Sequence, residues 1–377
     1  MRKFLSLIVF VLVLGFIGCD NNGPINGGGP TNGNGTTNGN GTTGGTTTLT
    51  WISREGLEGR WQSVTYGNGL FVAVGHFRPG SAGSYRAYVK TSPDGINWTA
   101  RQAAENCAWT SVTYGNGLFV AVANSGADRA NPPSDRVYRV MTSPDGINWT
   151  ARQAAGNSAW ASVTYGNGLF VAVGSGVFGG VIYRVMTSPD GINWTGRQPT
   201  QDGGEPAWQS VTYGNGLFVA VASSSGLGWD RVMTSSDGIA WTAQQEYQSE
   251  WRSVTFGNGL FVAVGGTRHT DASHVMTSPD GKNWTVRRLV PHNVAYGINH
   301  VAYSNGMFVA TGFRRTPAGG NFHLVPNMWT STDGINWPRT SGNIQFMQFI
   351  NGPVTYGNGL FVVLCFSGRV GTAEWRP

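Results

Sequence analysis

Charge is scarce in this chain of 377 residues: 25 Lys and Arg and 19 Asp and Glu make up 12% of it. The net charge of +6 therefore reflects missing carboxylates more than a basic patch, and nucleic acid is not an expected partner. Three cysteines are too few for a disulfide-built scaffold. No segment shows sustained helical periodicity, and no glycine-rich phosphate loop leads into a helix. The histidines lack metal-ligand spacing; His269 and His274 beside Asp271 come nearest. No cofactor and no metal are expected.

The apolar stretch Phe4–Ile17, preceded by Arg2 and Lys3, is too short and wrongly flanked for a membrane span and reads as an export signal. Phe16-Ile17-Gly18-Cys19 resembles the bacterial lipobox, with Phe16 in place of the usual Leu. That resemblance implies a signal peptide over 1–18, a lipidated Cys19 and a membrane-attached protein, at the outer membrane or cell surface or else on the periplasmic side of the inner membrane. After Cys19, residues 20–48 are Asn, Gly and Thr almost throughout, with Asp20 as their single charge. Such a tract cannot bury a core. As a flexible coil it spans roughly 30 Å and reads as a tether. Cys107 and Cys365 are the remaining thiols, placed a blade apart and too distant to bridge.

What is abundant is repetition. A phrase W-x-S-V-T-Y-G-N-G-L-F-V-A-V-G, a variable stretch, then V-M-T-S-P-D-G-I-N-W-T-A-R-Q recurs seven times. Its aromatic marker falls at Tyr66, Tyr114, Tyr165, Tyr213, Phe256, Tyr303 and Tyr356, at steps of 43 to 53 residues. A period near fifty signals a repeat architecture. In the first copy, Ser63–Tyr66 is β-branched and aromatic and reads as a strand. Asn68-Gly69 marks a tight turn. Leu70–Val74 reads as a buried strand, Val89–Ser92 as a third, and Ile96–Thr99, after the Pro93-Asp94-Gly95 turn, as a fourth. Seven such meanders bury both faces when packed radially, so residues 49–377 are expected to form an all-β, seven-bladed propeller of four-stranded antiparallel blades.

The chain ends agree. The last copy stops after its third strand, Arg369–Thr372, while Trp51-Ile52-Ser53-Arg54 matches the fourth-strand spacing of Trp98-Thr99-Ala100-Arg101. The N-terminal strand is therefore expected to complete the last blade.

Six turns repeat Ser-[Pro/Ser/Thr]-Asp-Gly with Trp three residues after the Gly; their aspartates are Asp94, Asp145, Asp190, Asp237, Asp280 and Asp333. These resemble the Asp-box, or bacterial neuraminidase repeat, of sialidase-like propellers, although here Asp and Gly are adjacent where the family has a residue between them. The resemblance covers nearly all of 51–377 and implies a structural hairpin turn away from any active site. Sialidase chemistry would need an arginine cluster, a Tyr/Glu nucleophile pair and an acid; the family's Arg-Ile-Pro segment is absent. The twelve acids outside the turns and Asp20 fall mostly in variable loops, and none is embedded in a central strand. Twelve of the 15 Trp occupy two repeat positions and read as packing between blades.

In a four-stranded meander the first-to-second and third-to-fourth turns share one end, and here they hardly vary. The second-to-third loops and the linkers between blades share the other end, where the copies diverge. Function concentrates on loops held by a rigid scaffold, so the variable end is the expected binding face. The third strand there opens with Arg139, Arg184, Arg231, His274 or Arg369, and with Tyr88 and Asn327 in the other two blades. Ring symmetry would make the basic residues a collar suited to a carboxylate or phosphate. These readings combine into a monomeric, lipid-anchored, non-enzymatic binding propeller of the bacterial envelope whose ligand is a glycan or a protein, of envelope or host origin. A sialidase-like glycoside hydrolase and a scaffold resembling photosystem assembly-factor propellers are the alternatives.

Overall fold

A computed structural model of the chain describes residues 49–54, 59–77, 85–124, 138–175, 183–198, 206–223, 231–244, 249–266, 273–288, 296–318, 321–338, 352–365 and 368–375. These form a seven-bladed, all-β propeller of antiparallel blades. In blade 1 the strands are Trp61–Gly67, Leu70–Phe77, Arg86–Ser92 and Thr99–Arg101, hydrogen-bonded in chain order. The first strands of successive blades stand side by side, and that of the seventh adjoins that of the first, so the ring is closed.

Closure uses the N-terminus. Ile52–Arg54 pairs antiparallel with the third strand of blade 7, Val370–Glu374, with Ile52 opposite Thr372 and Arg54 opposite Val370. A side-chain signature marks the position as a true fourth strand. In blades 1, 2, 3 and 5 a fourth-strand Arg donates from Nε to a third-strand Thr, as Arg101 does to Thr91 at 3.0 Å and Arg152 to Thr142 at 3.0 Å. Arg54 makes the same bond to Thr372 at 3.3 Å across 318 residues of sequence. Leu49 and Trp51 are buried with Met307, Val309 and Val354, so the strand is also held by the apolar seam between blades 6 and 7.

The fourth strands begin later than the sequence pattern suggests. Thr99–Arg101 is the strand; Ile96–Trp98 still belongs to the turn, because Asp94 ties down its backbone N–H groups. In blade 6 the described sheet has three strands, and the segment from 339 that would follow Trp337 and Pro338 lies outside the described residues. Its second and third strands, Met307–Ala318 and Asn321–Ser331, are the longest in the molecule's described part.

The core is the set of seams between blades. Seven apolar clusters each span two neighbouring blades; one joins Trp61, Val64 and Phe71 of blade 1 to Val362, Leu364 and Val370 of blade 7. Trp61, Trp109, Trp160, Trp208 and Trp251 are fully buried in these seams. Each seam between blades 1 and 6 is also stitched at the centre. The first-strand Ser accepts from the next blade's Val N–H: Ser63 from Val112, Ser111 from Val163, Ser162 from Val211, Ser210 from Val254 and Ser253 from Val301, at 3.1–3.2 Å. Inner strands have no ladder partner toward the ring centre, so these hydroxyls satisfy donors that would otherwise face it. At that position blades 6 and 7 carry His300 and Pro353 instead. The seam between blades 6 and 7 uses other bonds: Thr311 Oγ1 to the Gly352 carbonyl at 2.8 Å and Trp375 Nε1 to the Asn305 carbonyl at 2.7 Å.

One glycine in six of the seven repeats serves the seam rather than a turn; blade 6 has Ser304 at that position. A Cβ on Gly67 would lie 2.1 Å from the ring of Tyr114, and one on Gly166 2.1 Å from that of Tyr213. The series runs round to Gly357, which would meet Tyr66 at 2.1 Å, so the same contact closes the circle.

Candidate functional site

The two ends of the propeller are built by different chemistry. At the constant end the first-to-second turns have both central residues at positive φ, Asn68 at 47° and Gly69 at 75°, and the other six copies agree closely. That is the mirror-image type I turn, whose twist matches paired strands and which selects Asn-Gly. The recurring Asn ring is thereby explained without a ligand.

The third-to-fourth turns are organised by their aspartates. Asp145 Oδ1 accepts from Ser143 Oγ at 2.8 Å and from the backbone N–H of Ile147 at 2.8 Å and Asn148 at 2.9 Å, while Oδ2 accepts from Asn148 Nδ2 at 2.8 Å. Trp149 Nε1 donates to the Gly146 carbonyl at 2.9 Å. The other turns repeat this; Asp237 lacks the fourth bond because Ala240 stands where the others have Asn. Donors from the backbone of Asn148 first, and then of Ile147, hold Asp145 below the usual carboxylate range. At Asp94, burial opposes ionisation, and the donors of Asn97, Ile96 and Ser92 outweigh it. Asp333 falls the same way, to about 2. A carboxylate this saturated is a poor proton acceptor at neutral pH, so all six belong to the scaffold. The glycine after each aspartate packs on the preceding blade: a Cβ on Gly146 would meet Leu70 and Val72 at 2.9 Å.

At the variable end the five basic residues stand at the start of their third strands, and the side chains of Arg139, Arg184, Arg231 and His274 bond within the structure. Arg139 and Arg231 are buried, and His274 is 2% exposed. Arg139 Nη1 donates to the Ser158 carbonyl at 2.6 Å and Nη2 to Asn157 Oδ1; Arg231 Nη1 donates to the Ser249 carbonyl at 2.7 Å; Arg184 Nη1 donates to the Pro206 carbonyl at 3.2 Å. The three carbonyl acceptors occupy one repeat position, in the linker to the next blade. Burial lowers the Arg139 pKa to about 10 and that of Arg231 in the same direction, yet both stay charged at neutral pH. At Arg139, Arg184 and Arg231 the expected open collar is thus a set of ties between a blade and its outgoing linker. Arg369 is half-buried, and its carbonyl accepts from Cys365 N at 2.9 Å.

The linker residue at that position was not singled out by the sequence reading. Ser158 accepts Arg139 of blade 2 through its carbonyl and donates its hydroxyl to the Tyr183 carbonyl of blade 3. Ser249 accepts Arg231 of blade 4 and pairs its hydroxyl with His274 Nδ1 of blade 5 at 3.2 Å. The available signal was positional: each stands two residues before a buried first-strand Trp, and Cys107 is the copy in blade 2.

Of the twelve acids outside the turns, Glu105, Glu250 and Glu374 lie in described residues. Glu250 opens a first strand and lies 3.5 Å from Arg252, and Glu374 ends a third strand; neither is buried. Among the described residues no three His, Cys, Asp or Glu converge as a metal site. His269 and Asp271, Cys19 and most of the variable loops fall outside the described residues. Cys107 is half-buried and Cys365 buried, and neither forms a disulfide; burial pushes the Cys365 pKa up to about 12. Among the described residues no helix is long and apolar enough to cross a membrane.

No family model matches the chain, and no curated protein matches it. Among solved structures it is similar to YCF48 bound to a D1 peptide, with TM-score 0.59 and 15% identity over 86% of this chain and 96% of that one. It is also similar to virginiamycin B lyase from Staphylococcus aureus, with TM-score 0.58 and 8% identity over 87% and 100%. A third is the Trypanosoma rangeli sialidase in complex with the inhibitor DANA, with TM-score 0.45 and 16% identity over 77% and 56%. At these identities the likeness is one of fold.

Proposed function

We propose that this chain is a lipid-anchored, non-enzymatic propeller of the bacterial envelope that binds a protein segment through its variable end. The observation that carries this reading is the division of labour between the two ends. The recurrent Asn-Gly and Ser-x-Asp-Gly residues at the constant end are accounted for by turns and seams, so their constancy needs no ligand. Divergence is confined to the loops and linkers of the opposite end, where a rigid ring can present it. The six turn aspartates, saturated by donors, supply no general base. The fold-level likeness to YCF48, whose structure holds a peptide, supports a protein ligand over a glycan.

Lipid attachment is tested by fatty-acid labelling in the native host: the parent chain takes up label and pellets with membranes, and Cys19→Ser does neither. The binding reading is tested by exchanging residues 125–137 of blade 2 for 176–182 of blade 3, and separately by Ile147→Ser at the constant end. The first change is expected to alter the set of envelope proteins cross-linked to the chain and the second to leave it unchanged. A fluorogenic sialoside is expected to stay uncleaved; turnover above the level of the buffer would overturn the non-enzymatic reading.

A further inference from the structure

We infer that the blade 1 sector of the variable end docks an acidic peptide segment carrying apolar side chains. This rests on the protein-binding reading above and gives it an address and a chemistry. The sector is built from Arg60 in the incoming linker, His76 and Phe77 at the end of the second strand, and Tyr85, Arg86 and Tyr88 at the start of the third. Blade 1 departs from its neighbours here. Where blades 2, 3 and 4 open the third strand with an inward-turned Arg, blade 1 has Tyr88, half-buried with its ring 6.1 Å from that of Trp61. Phe77 is half-buried under the Arg60 guanidinium, 5.4 Å from the ring centre. His76 meets Tyr85 edge-on, 5.4 Å between centres.

The scaffold under these rings is fixed. His76 N donates to the Arg60 carbonyl at 3.2 Å, and Ala87 N donates to Asn106 Oδ1 at 3.4 Å. His76 Nδ1 lies 3.2 Å from the Trp109 carbonyl. A carbonyl only accepts, so Nδ1 carries the proton and Nε2 is left as an acceptor. Burial, the larger influence, lowers the His76 pKa and favours this neutral form, and the nearby Arg60 acts in the same direction. The result is a cluster of partly exposed aromatic rings held by backbone bonds, the composition that anchors protein interfaces.

Charge selects the partner. Arg60 and Arg86 are exposed, and among the described residues neither has an ion-pair partner; Glu105, on the outgoing linker, is the described carboxylate of the sector, while Glu55 and Glu58 of the incoming linker fall outside the described residues. Two available guanidinium groups beside apolar rings suit a segment that brings carboxylates and apolar side chains together. Ring geometry disfavours a sugar. Stacking on a pyranose needs an open, flat ring face, whereas Arg60 covers a face of Phe77, Tyr88 is tilted 52° against Trp61 and Tyr85 is engaged edge-on with His76.

The test is to pan a displayed library of random dodecapeptides against the full-length lipidated chain in detergent and to measure affinities of the enriched peptides by fluorescence anisotropy. Enriched peptides are expected to be rich in Asp or Glu interleaved with apolar residues. They should bind the Arg60→Ala/Arg86→Ala double variant about tenfold more weakly or worse, and the Arg60→Lys/Arg86→Lys variant with an affinity between that and the parent's. Circular dichroism of both variants checks that the fold is kept. Enrichment without acidic bias, or binding unchanged in the alanine double variant, overturns the blade 1 assignment. Binding lost instead on exchanging residues 125–137 also overturns it while leaving the protein-binding reading standing. If no peptide enriches, or an oligosaccharide displaces those that do, both fail.

Discussion

The two ends of this propeller use similar residues for opposite purposes. At the constant end, polar side chains close local turns: Asp190 binds the backbone of residues two and three positions on, and Trp194 caps the Gly191 carbonyl. At the variable end they reach across sequence, as Arg231 does to Ser249 and Ser249 in turn does to His274 of the next blade. Local bonds let a turn be copied without change. Ties to linkers of unequal length tolerate divergence around them, and that is where the copies differ. Recognition can therefore vary at one end without disturbing the ring.

The largest effect expected from breaking this arrangement comes from its closure. Deleting residues 49–54 removes a strand, the Arg54–Thr372 bond and the burial of Leu49 and Trp51. Loss of a buried Trp alone costs about 3–5 kcal/mol. The midpoint of thermal unfolding followed by circular dichroism should fall by about 10 °C or more. A truncated chain melting like the parent would mean that the ring is not closed there.

The next comparison is between two glycines two residues apart at one turn. Gly166→Ala drives a methyl to within 2.1 Å of the Tyr213 ring in a packed seam and should destabilise by about 3 kcal/mol. Gly168→Ala has open space, and only its φ of +75° is penalised, at about 1 kcal/mol. Equal losses in urea unfolding would show that the first glycine is merely another turn residue. Ser111→Ala removes the acceptor of the buried Val163 N–H and should cost about 1–2 kcal/mol. The same change at Thr110, whose hydroxyl donates to Trp160 and Val122 carbonyls, should cost less, since carbonyls tolerate a lost donor better.

Acid should act on the constant end. The six turn aspartates have folded pKa values below their ordinary 3.8. A depressed folded value means that their contribution is fully present above about pH 4 and is lost as pH falls from there through the folded values. Melting temperature should be flat from pH 7 to about 5 and decline below 4, and Asp190→Asn should shallow that decline slightly. A decline centred near pH 6 would point to the histidines instead.

Much of the ring was legible in the sequence because its determinants are local or strictly spaced. Asn68-Gly69 announces its turn type, and the spacing of Trp51 to Arg54 matches that of Trp98 to Arg101 closely enough to place the missing strand. The fourth strand was placed three residues early because the reach of Asp94 to Ile96 and Asn97 cannot be seen in a β-propensity pattern. Gly67 reads as part of the turn, yet its constraint is the Tyr114 ring of the next blade. The basic collar misled for a similar reason. An Arg that opens a strand looks exposed, and only the path of the following linker shows that its Nη1 already donates to a linker carbonyl. Blade 1, with Tyr88 at that position, carries the exception.

The most direct test of the division between the two ends is photo-crosslinking from paired positions within blade 1. A photoreactive amino acid is placed at Gln102, exposed on the linker at the variable end, or at Asn97, exposed in the turn at the constant end. In intact envelopes, adducts to a discrete protein are expected from Gln102 and none above background from Asn97. Adducts from Asn97 with none from Gln102 would contradict the account.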